Sequence, residues 1–100
     1  MHYLISYDIA ADGLRGRVAK LLERHGCRRM QRSVFAAPRF SGKQMTALRS
    51  GLHRLLGTSL EPGDSLFIVS IEGDAVGELV TFGENNAATF FEPPPLHVRL

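Results

Sequence analysis

The first strong pattern in the sequence is an apolar alternation that ends at a carboxylate. From residue 2 to residue 9, apolar side chains occupy every second position: Tyr3, Ile5, Tyr7 and Ile9. A period of two predicts a β-strand that buries one of its faces. The intervening positions end in Asp8, so we expect this carboxylate at the C-terminal end of the strand, directly before a segment rich in Lys and Arg.

Two segments have the spacing of amphipathic helices. Asp12 is predicted to cap the first, which ends at Gly26 and whose apolar stripe is Leu14, Val18, Leu21, Leu22 and His25. Ser41 and Gln44 form a capping-box pattern before the second, which ends at Gly57 and whose stripe is Met45, Leu48, Leu52, Leu55 and Leu56. A helix therefore follows the first strand, and another lies near the middle of the chain.

The remaining segments are predicted to be extended. Residues 27–40 favour either one long bent strand or a tight hairpin that pivots near residues 31–33, and Pro38 is expected to end this segment. Residues 65–71 are apolar at nearly every position, which predicts a central strand covered on both faces. Residues 77–83 predict a shorter, weaker strand.

This order of elements predicts an α+β protein with a ferredoxin-like fold, βαββαβ. Two helices would cover one face of an antiparallel sheet in a domain spanning residues 1–83. Residues 84–100 contain Asn-Asn and Pro-Pro-Pro breaks, and we expect this tail to dock on a dimer partner or another protein. The last strand and the tail are expected to be exchanged in a homodimer.

Charge is distributed very unevenly along the chain. Residues 1–60 contain eleven Lys or Arg against three acids, a net charge of +8, whereas residues 61–100 contain one Arg against seven acids, a net charge of −6. The split indicates either a polyanion partner for the first part, or two oppositely charged halves that pair within the fold. No apolar run approaches the length of a membrane span, and we expect a cytoplasmic protein. The single Cys27 is predicted to be a buried apolar residue.

Four short motifs resemble the family of CRISPR-associated protein two, the small partner of the spacer-acquisition integrase. They are Y-D-I at 7–9, L-R-G-R-V-A-K-L-L at 14–22, G-C-R-R at 26–29 and Q-R-S-V-F at 31–35. Residues 64–71 and 80–84 agree more loosely. The resemblance is specific over residues 3–36, and the tail matches no motif of the family.

The resemblance implies a homodimer in which the two Asp8 carboxylates face each other and hold Mg²⁺ or Mn²⁺. Magnesium accepts one or two protein carboxylates together with water and phosphate oxygens. The resemblance also assigns phosphate binding to Arg15, Arg17 and Arg29, and a polar position near the nucleic acid to Ser33. The basic strip of residues 15–32, which adds Arg28 and Arg32, suits sequence-independent phosphate contacts.

Two main functions follow from the resemblance. One is a metal-dependent endonuclease with Asp8 as its catalytic residue, acting on single-stranded RNA or double-stranded DNA. The other, to which we commit, is a dimeric adaptor of spacer acquisition in antiviral defence, which bridges integrase subunits and binds the captured DNA. A toxin-type endoribonuclease of the same fold is the alternative, and the Q-R-S-V-F motif disfavours it.

Overall fold

The computed structural model describes residues 1–83 and Phe91. In chain order the elements are β1 (His2–Asp8), α1 (Asp12–Arg24), β2 (Arg28–Gln31), β3 (Val34–Ala37), α2 (Gly42–Leu56), β4 (Ser65–Ile71) and a 3₁₀ helix (Gly73–Glu78). The four strands form one sheet in the order β2-β3-β1-β4, and every neighbouring pair is antiparallel. The predicted α+β, ferredoxin-like fold is confirmed.

The two faces of the sheet have different environments. Cross-strand partners share a face, so Ile5 lies beside Phe35 of β3 and Ile68 of β4. Ile5 and Phe35 are 0% exposed, because this face packs against the apolar stripes of α1 and α2. We call it the covered face. The opposite face, which we call the open face, carries Phe67 at 57% and Val69 at 45% exposure.

The N-terminal ends of the two helices test the capping residues that were predicted from the sequence. In α2 the capping box is present as predicted: the Gln44 amide donates to Ser41 Oγ at 3.1 Å, and the Ser41 amide donates to Gln44 Oε1 at 2.8 Å. In α1 the cap residue is Ala11 and not Asp12, which is the first helical residue. The prediction of an Asp12 cap was wrong, because Arg15 binds that carboxylate instead.

The end of α1 follows from a glycine. Gly26 has φ +92°, a left-handed conformation that costs a side-chain-free residue little. The amides of Gly26 and Cys27 donate to the carbonyls of Glu23 and Leu22 at 3.0 and 2.9 Å, which is a Schellman ending. Cys27 itself is 5% exposed, and burial raises the pKa of its thiol to about 12, so the prediction of a buried apolar cysteine is confirmed.

The extended segments differ from the predictions at two places. Residues 28–37 form a hairpin with a turn at residues 32 and 33, which decides between the two alternatives. Strand β4 was predicted to be central, but within the described residues it lies at an edge of the sheet with one face open. Residues 77–83 form no strand in this chain: the first two end the 3₁₀ helix and the others are irregular. The predicted docking tail, 84–100, lies outside the described residues except for Phe91.

Candidate nucleic-acid interface

Asp8 is the last residue of β1 and is exposed to solvent. Its Cα partner is Ser65, the first residue of β4, and strand alternation puts Asp8 on the open face with Leu4 and Ser6. Within residues 1–83, no hydrogen bond or ion pair engages its carboxylate. The carboxylate oxygens are therefore available to a ligand on the open face.

The loop that follows Asp8 is held by one arginine. Arg15 Nη1 donates to the carbonyl oxygens of Ile9 at 2.9 Å and Ala10 at 3.2 Å, and Nη2 pairs with the Asp12 carboxylate. A guanidinium has five donors in a fixed plane, so it can hold this loop and retain some donors for another ligand. Arg15 thus stabilises the backbone directly after Asp8, whatever else it binds.

A second residue, Asp64, holds the same loop, and the sequence patterns did not predict this contact. Asp64 accepts hydrogen bonds from the backbone amides of Ala10 at 3.1 Å and Glu61 at 3.0 Å. These hydrogen bonds lower the pKa of Asp64, and the bond from the Glu61 amide has the larger effect. The Pro62-Gly63-Asp64 segment predicts a turn, but no local signal reveals a partner 54 positions away.

Between α1 and the β2–β3 hairpin lies a polar cleft of about 390 Å³, the hairpin cleft. It is lined by Tyr7, Asp12, Arg15, Gly16, Ala19, Arg29 and Arg32. The Arg29 guanidinium lies 4.8 Å from the centroid of the Phe35 ring, and its Nη1 donates to the carbonyl oxygen of Arg32 at 2.5 Å. Burial raises the pKa of Tyr7, and the positive charge of Arg29 opposes this shift. The cleft is a cationic pocket on the covered side of the hairpin.

The structure brings only some of the predicted phosphate-binding residues together. Arg15, Arg29 and Arg32 share the hairpin cleft. Arg28 pairs with Ala36 in the sheet and lies on the open face, the opposite side from Arg29. Arg17 lies on the flank of α1 that faces α2. For all five arginines, binding of nucleic acid remains a prediction.

Ser33 lies in the turn of the hairpin and is half-buried. Its backbone carbonyl accepts a hydrogen bond from the Tyr7 amide at 3.1 Å, which ties the turn to β1. Phe35 is fully buried and stacks with Tyr7, with ring centroids 6.2 Å apart, so it is a core residue. The Q-R-S-V-F segment therefore has a structural role that the geometry accounts for.

On the open face, Asp8 is the one described carboxylate that is available to bind a divalent metal ion. Among the described residues there is no group of three or more His, Cys, Asp or Glu side chains that could hold a metal ion. Asp64 precedes Ser65, the cross-strand partner of Asp8. Its carboxylate, however, already accepts hydrogen bonds from two backbone amides. Asp8 alone suits Mg²⁺ only if a second chain, water or phosphate supplies further oxygens, and its exposure on the open face permits that.

Comparison with known proteins identifies the family. The model of the family described as CRISPR associated protein Cas2 matches residues 1–78 of this chain. The chain belongs to the Cas2 family. The motifs in residues 3–36 that suggested this family lie within the matched range, so the resemblance is confirmed.

Three Cas2 relatives show how far the similarity extends. A protein of Chloroflexus aurantiacus named CRISPR-associated endoribonuclease Cas2 1 is 36% identical over 95 residues, which cover 95% of this chain and 90% of that protein. The Thermofilum pendens protein named CRISPR-associated endoribonuclease Cas2 is 34% identical over 74 residues, 74% of each chain. A relative from Archaeoglobus fulgidus is 54% identical over 35 residues, but this match covers only 37% of its length.

Two solved structures share the architecture. A hypothetical protein, TT1823 from Thermus thermophilus, superposes with a TM-score of 0.68 at 30% identity, covering 84% of this chain and 92% of that one. Cas2 of Streptococcus pyogenes at pH 6.5 gives a TM-score of 0.67 at 22% identity, covering 83% of this chain and all of that one. At this identity the second likeness concerns the fold alone.

No helix within the described residues is long and apolar enough to cross a membrane.

Proposed function

We propose that this Cas2 family member is a homodimeric, nucleic-acid-binding adaptor of CRISPR spacer acquisition. The observation that carries the proposal is the pair of exposed arginines Arg28 and Arg32, whose guanidinium groups have no carboxylate partner in residues 1–83. Membership of the family supports the CRISPR context. Cytoplasmic location is part of the same proposal.

The open face supports a symmetric dimer. Phe67 and Val69 of the edge strand β4 are exposed there at 57% and 45%. Phe67 lies opposite Ser6, beside the pair formed by Asp8 and Ser65. Apolar side chains of this size on a sheet face are stabilised when a second apolar surface covers them. A two-fold axis through this face would bring two Asp8 carboxylates together. Exchange of the tail would add to the same interface.

The basic first part supports a nucleic-acid partner. Arg28 and Arg32 are exposed, and neither guanidinium has a carboxylate partner among residues 1–83. The single ion pair between described residues joins Arg15 to Asp12, both within the basic part, so it does not connect the two oppositely charged halves. Unpaired guanidinium groups suit the phosphates of double-stranded DNA or single-stranded RNA. We assign the acidic second part to the integrase subunit.

A metal-dependent endonuclease activity is the second candidate function. Three relatives are named as endoribonucleases, and the unpaired Asp8 carboxylate fits one ligand position of Mg²⁺ or Mn²⁺. When bound, such a metal would supply an activated water and would stabilise charge on the phosphate. Asp8 would hold the ion, while Arg15 and Asp64 keep the following loop in place.

The two functions are tested by one set of assays on the purified chain and its Asp8→Asn variant. Binding and cleavage of duplex DNA and single-stranded RNA are measured with Mg²⁺, Mn²⁺ or EDTA across a salt series. For an adaptor we expect salt-sensitive binding that Asp8→Asn preserves, with no cleavage by either protein. For an endonuclease we expect metal-dependent cleavage that the variant lacks.

The matched control is Asp74→Asn, which removes an exposed carboxylate from the 3₁₀ helix. An equal loss of binding or of cleavage in both variants would assign the change to net charge and remove Asp8 from the site. Absence of both binding and cleavage in the wild-type chain would contradict both functions for the isolated protein. Sedimentation of the wild-type chain tests the homodimer directly.

A further inference from the structure

The two flanks of α1 carry the same kind of side chain in different surroundings. On the flank that faces β2, Arg15 has a carboxylate and two backbone carbonyls as partners. On the flank that faces α2, Arg17, Lys20 and Arg24 are exposed, and none has an ion pair with residues 1–83. The second flank is therefore uniformly cationic, and the charges of this flank are not compensated within the described chain.

This flank forms one wall of a cleft of about 440 Å³ between α1 and α2, the interhelical cleft. It is lined by Arg17, Lys20, Leu21, Arg24, Gly51, Arg54 and Leu55. The helices approach closely at Gly51, where a Cβ would lie only 3.3 Å from Leu21 Cδ1. Leu21 and Leu55 are half-buried. Four cationic side chains thus surround a small apolar patch, and no acidic residue lines the cleft.

Favourable interactions with the helix dipoles explain the positions of only two of these four cationic side chains. Arg24 and Arg54 lie in the last turns of α1 and α2, where a cation interacts favourably with the helix dipole. Lys20 lies within α1, and Arg17 lies in its second turn, where the dipole offers a cation no gain. The row from Arg17 to Arg24 spans seven residues, or about 10 Å along the helix axis.

The chemistry of the lining groups indicates the ligand. Arginine and lysine side chains donate hydrogen bonds and accept none. A phosphodiester backbone has only acceptors at its charged oxygens, whereas a polypeptide also brings amide donors, which this lining leaves without acceptors. Duplex DNA carries about one negative charge per 1.7 Å of helix axis, so a 10 Å row meets several phosphates.

We propose that the interhelical cleft is a second phosphate-backbone site for duplex DNA, formed by Arg17, Lys20, Arg24 and Arg54. The proposal rests on the nucleic-acid binding proposed above and extends it to the helical side of the molecule. Because Asp8 lies on the open face of the sheet, this site is separate from the carboxylate. A dimer would then contact DNA on its outer surface as well as at the strand end.

The test compares two double variants that each remove two positive charges. Arg24→Gln with Arg54→Gln changes the interhelical cleft, whereas Lys43→Gln with Arg49→Gln changes α2 outside that cleft. Binding of a duplex is measured by fluorescence anisotropy over a salt series, with melting temperatures as the check on folding. Each phosphate contact contributes about 0.9 to the slope of log K against log salt. We therefore expect the magnitude of this slope to fall by about 2 in the cleft variant. In the control variant the slope should remain close to that of the wild type.

Other results would overturn the proposal. Equal slopes in the two double variants would show that only net charge matters. Tighter binding of a poly-glutamate peptide than of DNA, lost in the cleft variant, would assign the cleft to an acidic protein segment. If the cleft pair is unfolded, Lys20→Gln replaces it, with an expected change of slope of about 1; an unchanged slope overturns the proposal.

A further double variant separates this site from the proposed function. Loss of binding in Arg28→Gln with Arg32→Gln, with wild-type binding in the cleft variant, would remove the second site and leave the proposed function intact. Absence of salt-sensitive DNA binding in the wild-type chain would remove both.

Discussion

Two phenylalanines on opposite faces of the same sheet show how differently the molecule uses its apolar residues. Phe35 of β3 lies on the covered face, is fully buried, and contacts the Tyr7 ring and the Arg29 guanidinium. Phe67 of β4 lies on the open face and is 57% exposed. Folding of the described residues buries the first and leaves the second exposed. The covered face thus contributes to the stability of the fold, whereas the open face is the surface that we propose for assembly.

The largest expected effect is on the covered face. Phe35→Ala removes a side chain that is fully buried between the sheet and the helices. We expect the free energy of unfolding to fall by about 3–5 kcal/mol, because the lost transfer energy and the residual cavity both contribute. Urea denaturation followed by circular dichroism measures this. A change below about 1 kcal/mol would show that the covered face is not the main core.

The matching substitution on the open face is Phe67→Ala. We expect the proposed dimer to dissociate at least about tenfold more readily, since a large aromatic side chain buried in an interface contributes strongly to association. At concentrations where the chain is monomeric, the free energy of unfolding should change by no more than about 0.5 kcal/mol. Analytical ultracentrifugation over a concentration series measures the dimer. Unchanged dissociation would move the interface away from this face.

A smaller effect is expected at the start of α2, one of the two helices on the covered face. Ser41→Ala removes both the acceptor for the Gln44 amide and the partner in the capping box. We expect the unfolding free energy to fall by about 1 kcal/mol. Ser50→Ala, an exposed serine within the same helix, is the control and should leave stability close to wild type. Equal effects of the two would mean that the cap does not stabilise the helix.

The smallest effect is expected at Asp64, in the turn directly before β4. Its pKa is lowered in the folded chain, so its contribution to stability is present above the unfolded pKa of 3.8 and is lost as the pH falls through the folded value. Asp64→Asn removes this titration. We expect the melting temperatures of the wild type and the variant to differ at pH 7 and to converge below pH 3.8.

A difference between the two proteins that stays constant from pH 7 to pH 2 would contradict this role of Asp64. Asp74→Asn in the 3₁₀ helix, an exposed carboxylate with no resolved hydrogen bond in the described chain, is the control for general charge effects.

Local patterns predicted the elements whose signals lie within a few residues. The alternation at 3–9, the helical stripes, Gly26 and the Ser41 capping box correspond to β1, α1, the end of α1 and the start of α2. The Asp12 cap failed because a side chain three positions later competes for the carboxylate. Strand β4 was predicted to be central because its two-sided apolar pattern is the same whether the second cover is its own chain or a partner.

The candidate site shows the same limit. Motifs of the family predicted Asp8 and the arginines as site residues, but the structure divides those arginines among the hairpin cleft, the open face and the interhelical cleft. Arg28 and Arg29 are adjacent in sequence and lie on opposite faces because strand side chains alternate. The contact of Asp64 with Ala10 joins residues 54 positions apart, so no periodicity could reveal it.

Sequence patterns alone were sufficient to predict the order of strands and helices from β1 to β4, the position of Asp8 at a strand end and the concentration of positive charge in residues 1–60. Each of these depends on near neighbours, through backbone periodicity and local hydrogen bonds. The packing of the folded chain was needed to show which arginines are held by backbone carbonyls, that Arg28 and Arg32 have no ion pair within residues 1–83, and which apolar face is exposed. These outcomes depend on which distant elements pack together, and packing assigns identical side chains to different surroundings.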